Sequence, residues 1–166
     1  MNLNQTILAE LKQEAASTRN LLALVPFEKS DFKPHEKSMS LGRLARHVAE
    51  ISGWWKECLL LDELDFSKSS GERKEYHSTE DMLAHHDQLV ANAEKILSEV
   101  SDDEFAKPWT MRNGEQIYFT MRKAEVVRTW CLNHLFHHRG QLTVYLRLLN
   151  IPLPGMYGPT ADEPGM

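Results

Sequence analysis

Long apolar runs are missing from this sequence. No stretch approaches the roughly 18 consecutive apolar residues that a membrane-spanning helix needs, so a helical membrane protein is excluded. Cysteine is scarce. Cys58 and Cys131 lie in different apolar segments and form no CxxC, which leaves neither a zinc ribbon nor a disulfide framework and fits a reducing cytoplasm. A basic excess is also absent: 19 basic against 24 acidic residues give a net charge of -5. That balance repels a phosphate backbone and argues against nucleic acid as a partner. No GxSxG elbow, glycine-rich phosphate loop, repeat or low-complexity tract occurs. The first residues, "MNLNQTILAELKQEAA", are amphipathic and carry acids, unlike the basic and then apolar profile of a signal peptide. The expectation is a soluble, cytoplasmic protein with no membrane partner. Residues 1–166 should form a single domain, long enough to bury a core.

Helical periodicity is what the sequence does have. Leu3, Ile7, Leu8, Leu11, Ala15, Thr18 and Leu22 share one face of a first helix that ends before Pro26. Ser40 is placed to cap a second helix through "LGRLARHVAEISGWWKECLLL", with Leu44, His47, Ile51, Trp54 or Trp55, and Cys58 inward. The segment "DELDFSKSSGERKEYH" reads as a long, mobile connecting loop. Ser78 or Thr79 then caps a third helix with Met82, His86, Leu89 or Val90, Ala93, Ile96, Leu97 and Val100 on its stripe. Pro108 and the Asn113-Gly114 turn pair predict a short β-hairpin or extended loop. A fourth helix should span residues 125–149, stopped by Asn150 and Pro152. Four long amphipathic helices predict an all-α four-helix bundle with that insertion before the last helix. The Pro- and Gly-rich tail should strap the bundle or leave it.

The fourth helix carries "NHLFHHRGQ", three histidines in five residues. His134 and His138 lie about 40° apart on a helical wheel and should point into the core, with Gln141 within about 40° of His134. His137 falls about 60° to the other side, at the rim. His47 shares the inward face of the second helix. A buried imidazole leaves a donor and an acceptor to satisfy, each costing about 1–3 kcal/mol if orphaned. A divalent ion held by two histidines from one helix and one from another resolves that cost. Periodicity alone leaves open whether the second ligand of the fourth helix is His137 or His138. His86 fits a satisfied core or supporting role, and His35, His77 and His85 fit rim or loop positions. Cys58 and Cys131 read as small buried hydrophobes rather than as ligands or nucleophiles.

"LGRLARHVAEISGWW" together with "WCLNHLFHHRGQLTVYLRLLNIPLPGMYGPTADE" resembles the DinB-like (DinB/YfiT) superfamily of small metal-binding four-helix proteins. The resemblance is detailed over roughly a third of the chain. It implies up-down-down-up connectivity, often a homodimer, and a nickel or zinc ion held by one histidine of the second helix and two of an HxxxHRGQ motif. On this sequence those residues are His47, His134 and His138, which leaves His137 at the rim. For the rest of the motif, Gly140 should allow close helix packing, Gln141 should orient a ligand, and Arg139 should face solvent or a partner subunit.

Three neutral imidazoles leave an ion its full charge and at least one open position, the arrangement of catalytic zinc sites. Superfamily members include transferases of bacillithiol and related low-molecular-weight thiols, as well as putative hydrolases. The resemblance therefore implies a metal-dependent thiol S-transferase acting on an electrophile in a stress response. The alternatives are a hydrolase using metal-activated water and a non-catalytic metal- or small-molecule-binding module. No catalytic side chain is assigned: Glu50 and Glu57 sit off the His47 face and give no assured general base.

Overall fold

The computed structural model describes residues 2–69 and 74–163. Helix α1 (Leu3–Leu22) opens beside Asp102, whose carboxylate accepts from the backbone N–H groups of Leu3 and Asn4 at 3.0 Å each. Those donors have no partner within a helix, so a carboxylate from elsewhere in the chain does the work of a cap. Ser40 caps α2 (Leu41–Glu50) by accepting from Arg43 N–H, as expected. A single continuous second helix does not form. A tight turn at Ile51–Gly53 separates α2 from α3 (Trp54–Leu60). Ser78, not Thr79, caps α4 (Thr79–Glu99), accepting from Asp81 N–H at 3.1 Å.

The last helical segment also differs from the single helix that periodicity predicts. A short α5 (Lys123–Val126) runs into a π-helical stretch, Val127–Asn133, before α6 (His134–Leu148) begins. Asn150, at φ +57°, ends the segment as expected. Helix α1 packs on α4, and α2 packs on α6 and α4. One apolar cluster joins Leu22, Leu44, Val48, Leu142 and Leu146, and a second joins Leu11, Trp55, Leu59, Leu97 and Leu132. Trp54 packs against both.

The chain is mostly helical, but not all-α. The predicted hairpin forms from β2 (Pro108–Asn113) and β3 (Gln116–Arg122), but its turn residues are Gly114 and Glu115 rather than the Asn113-Gly114 pair: Asn113 stays in β2 opposite Gln116, and Gly114 alone takes a positive φ, +58°. Its alternation works as expected: Trp109 and Met111 are buried while Thr110 pairs with Thr120 on the other face. A third strand, β1 (Glu63–Asp65), lies parallel to β2, within a segment the sequence marks as connecting loop. The long, mobile loop expected over residues 62–77 falls in part on residues 70–73, which lie outside the described residues.

Lys123 pins this small sheet to the helices from a buried position. Its ammonium reaches Glu104 at 2.6 Å, Asp62 at 3.1 Å and the Leu59 carbonyl at 3.1 Å. The tail straps back rather than leaving: Asp162 accepts from Leu153 N–H and pairs with Arg147, and Glu163 accepts from the backbone of Gly155 and Thr160. No described helix is long and apolar enough to cross a membrane.

Candidate metal centre

His47 comes from the last turn of α2, His134 opens α6, and His138 follows one turn later. These are the three histidines that the sequence brings forward, and the fold gathers them: one ring nitrogen from each lies within 4.8 Å of the others. His47 Nε2 faces His134 Nε2 at 2.9 Å. Two neutral rings meeting this way can share one proton, or both can turn lone pairs toward a cation between them. Nitrogen ligands about 2.0–2.1 Å from a tetrahedral ion stand about 3.3 Å apart, so an ion requires these rings to open by only a few tenths of an ångström.

The third ring is oriented for the same purpose. Gln141 Oε1 can only accept, so the 2.8 Å contact places a proton on His138 Nδ1 and leaves Nε2 with its lone pair. The amide nitrogen of Gln141 donates to His137 Nε2 at 3.1 Å, which ties the exposed third histidine of the motif to the same amide. His137 is therefore at the rim, and Gln141 performs the orienting role expected of it.

Burial differs from the expectation. All three histidines are half-buried, at the edge of the core, because Leu135, Leu142, Tyr145 and Leu146 take the innermost face of α6. Trp54 and Trp130 wall the site, with ring centroids 5.0 and 5.6 Å from that of His134. Desolvation holds His134 down to about 4, helped by the neighbouring His138 and His137. Burial also lowers His138, against the opposing pull of its bond to Gln141. Both rings are thus kept neutral, the form that binds metal.

A cleft of about 350 Å³ opens onto the site, lined by His47, His138, Met39, Arg43, Arg46, Glu50 and Trp54. Glu50, one turn beyond His47 on α2 and off its face by about 60°, nevertheless shares the cleft with two of the histidines. A second cavity of about 450 Å³ is also bordered by Trp54, together with Trp109, Trp130, Phe66 and Met111.

A sequence model of the DinB family matches residues 1–165. The chain belongs to the DinB family. This DinB chain is similar in fold to two crystal structures of DinB-like proteins. With YjoA of Bacillus subtilis the TM-score is 0.71 at 17% identity, covering 91% of this chain and 96% of that one. With a protein of Bacillus cereus the TM-score is 0.68 at 24% identity, covering 90% and 95%. A stretch of 32 residues is 47% identical to YrdA of Bacillus subtilis (strain 168), an uncharacterized protein, and spans 19% of each chain.

Other residues of this DinB chain meet expectation in some cases and depart from it in others. Arg139 does not face solvent: it is 2% exposed and binds the Glu14 carboxylate at 2.5 Å and Thr18 Oγ1 at 3.1 Å. Tyr157 of the tail donates to Glu14 at 2.8 Å and also meets the guanidinium. Gly140 allows no close packing, since a Cβ there would meet nothing within 4 Å. His86 is buried with Nδ1 against the Ala49 carbonyl, a core role as expected, but its Nε2 has no hydrogen-bond partner among the described residues, so it is only half satisfied. His85 is half-buried and bonds Tyr76 at 2.7 Å. Cys58 and Cys131 are buried with their sulfurs 3.8 Å apart, outside the three-histidine group. Burial pushes the Cys131 thiol well up, so it stays protonated and apolar in behaviour.

Proposed function

We propose that His47, His134 and His138 hold one divalent metal ion, nickel or zinc. On this reading the protein transfers a low-molecular-weight thiol, of the bacillithiol type, to an electrophile. The observation that carries the reading is the convergence of three half-buried imidazoles, two with Nε2 atoms 2.9 Å apart and the third oriented by Gln141. A divalent ion there would supply a Lewis acid that lowers the pKa of a coordinated thiol or water. The chain's own residues do the rest: Gln141 fixes the His138 tautomer, Trp54 and Trp130 keep water from one side of the site, and the cleft beside His47 and His138 admits substrate. The same reading takes the helices as an up-down-down-up bundle and the assembly as a homodimer.

Elemental analysis of protein purified without nickel affinity resin tests the centre. The expected result is about one equivalent of metal, lost in both His47→Ala and His138→Ala. Absence of metal from folded wild-type protein overturns it. Conjugation of several thiols to a model electrophile, compared between metal-loaded and stripped protein, then tests the transferase. A second reading, hydrolysis, is favoured by Glu50, a carboxylate lining the cleft that His47 and His138 share, which on this reading would be the base toward water. Metal-dependent turnover of esters that is lost in Glu50→Gln, with no thiol conjugation, would select it. If metal binds but neither activity appears across both panels, the site belongs to a binding module.

A further inference from the structure

Arg43, Arg46, His47 and Glu50 fall at helical spacings of three and four, so α2 turns all four toward one side. The fold places that side along the cleft that His47 and His138 share. Two arginines and one glutamate thus line the cleft that adjoins the candidate metal centre, in a molecule whose net charge is -5. Neutral imidazoles would leave a divalent ion its full +2, which adds to the positive side. Among the described residues, no ion pair is found for Arg43 or Arg46, although Glu50 lines the same cleft. Asp31 and Glu75, both exposed, line a different cleft that these arginines also border. An unpaired guanidinium fork in a concave site is matched in shape and charge to a carboxylate.

We infer that Arg43 and Arg46 form an anion subsite that selects substrates carrying a carboxylate a few atoms from the group that meets the metal. The inference rests on the metal reading above and deepens it, because it names the charge and chemical class of the substrate. The arginines act on recognition. Coulomb attraction in a half-enclosed cleft draws the anion in, and the forks fix its orientation relative to His47 and His138.

The test uses a matched pair of probes, succinate and succinamide, which differ in carboxylate against neutral amide. Binding of each to zinc-loaded protein is measured by calorimetry in the wild type, in R43Q/R46Q and in R43K/R46K. Succinate should bind at least about tenfold more tightly than succinamide to the wild type, a ratio equivalent to about 1.4 kcal/mol. The ratio should fall toward one in R43Q/R46Q and recover in part in R43K/R46K, which keeps the charge but loses the fork. Zinc content and melting temperature of the variants, unchanged from wild type, separate this result from misfolding. A preference for succinate that survives in R43Q/R46Q would belong to the metal alone and overturns the subsite, as does a wild type with no preference. If the protein takes up no zinc, the metal reading fails by itself. The same titration on metal-free wild type and R43Q/R46Q still decides whether the arginines select the anion.

Discussion

Gln141 reaches two histidines with one amide, so its removal should be felt at the metal rather than in the fold. Gln141→Leu releases His138 to either tautomer, and zinc affinity is expected to fall about 10–100-fold with little change in melting temperature. Competition with a chromogenic chelator reads that loss directly. The residue after His138 should behave in the opposite way. Arg139→Ala strands the Glu14 carboxylate in the core and should cost about 3–5 kcal/mol in denaturant unfolding. Arg139→Met combined with Glu14→Leu should regain most of that loss, because a well-packed apolar pair replaces two desolvated charges. The histidines were legible because i and i+4 spacing and an inward position on two helices constrain where rings go. Arg139 was not. An arginine between a histidine and a glycine reads as surface, and its partner lies 125 residues earlier in the chain, where no local pattern points to it.

Among the elements, the hairpin was the most readable, since a glycine between two runs of alternating side chains is a strong local signal, although the turn falls one residue later than the Asn-Gly pair indicates. Gly114 sits at φ +58° with open space around it, so Gly114→Ala should cost about 1 kcal/mol through backbone conformation alone. Chemical denaturation checks the cost, and unchanged zinc binding checks that the sheet acts at a distance. Strand β1 escaped notice because it is three residues long and sits among charges and serines. It exists through pairing with β2, a partner more than forty residues away. The π-helical stretch before His134 was equally hidden. Apolar spacing over seven residues does not separate a wider helical turn from an ordinary one, and Val127, Cys131 and Leu132 remain buried in it. The interruption between α2 and α3 has the same cause, for Ile51 and Ser52 are buried on either reading.

At the scale of the whole molecule, half-burying the histidines links stability to pH. His134 titrates at about 4 in the folded chain against an ordinary 6.5, so the unfolded chain takes up this proton first as the solution is acidified. Metal-free protein should hold a constant melting temperature above about pH 6.5 and lose stability as pH falls toward 4. His134→Gln should flatten that decline. Saturating zinc should raise the melting temperature at neutral pH and steepen the loss on acidification, because protons then compete with the ion for the same nitrogens. Trp54 and Trp130 have a consequence of another kind. With rings 5.0 and 5.6 Å from His134, they are indole fluorophores mounted on the candidate centre, while Trp55 and Trp109 are buried in the core. Nickel uptake should dim part of the emission and leave the rest, so the chain carries its own optical gauge of occupancy and needs no attached dye.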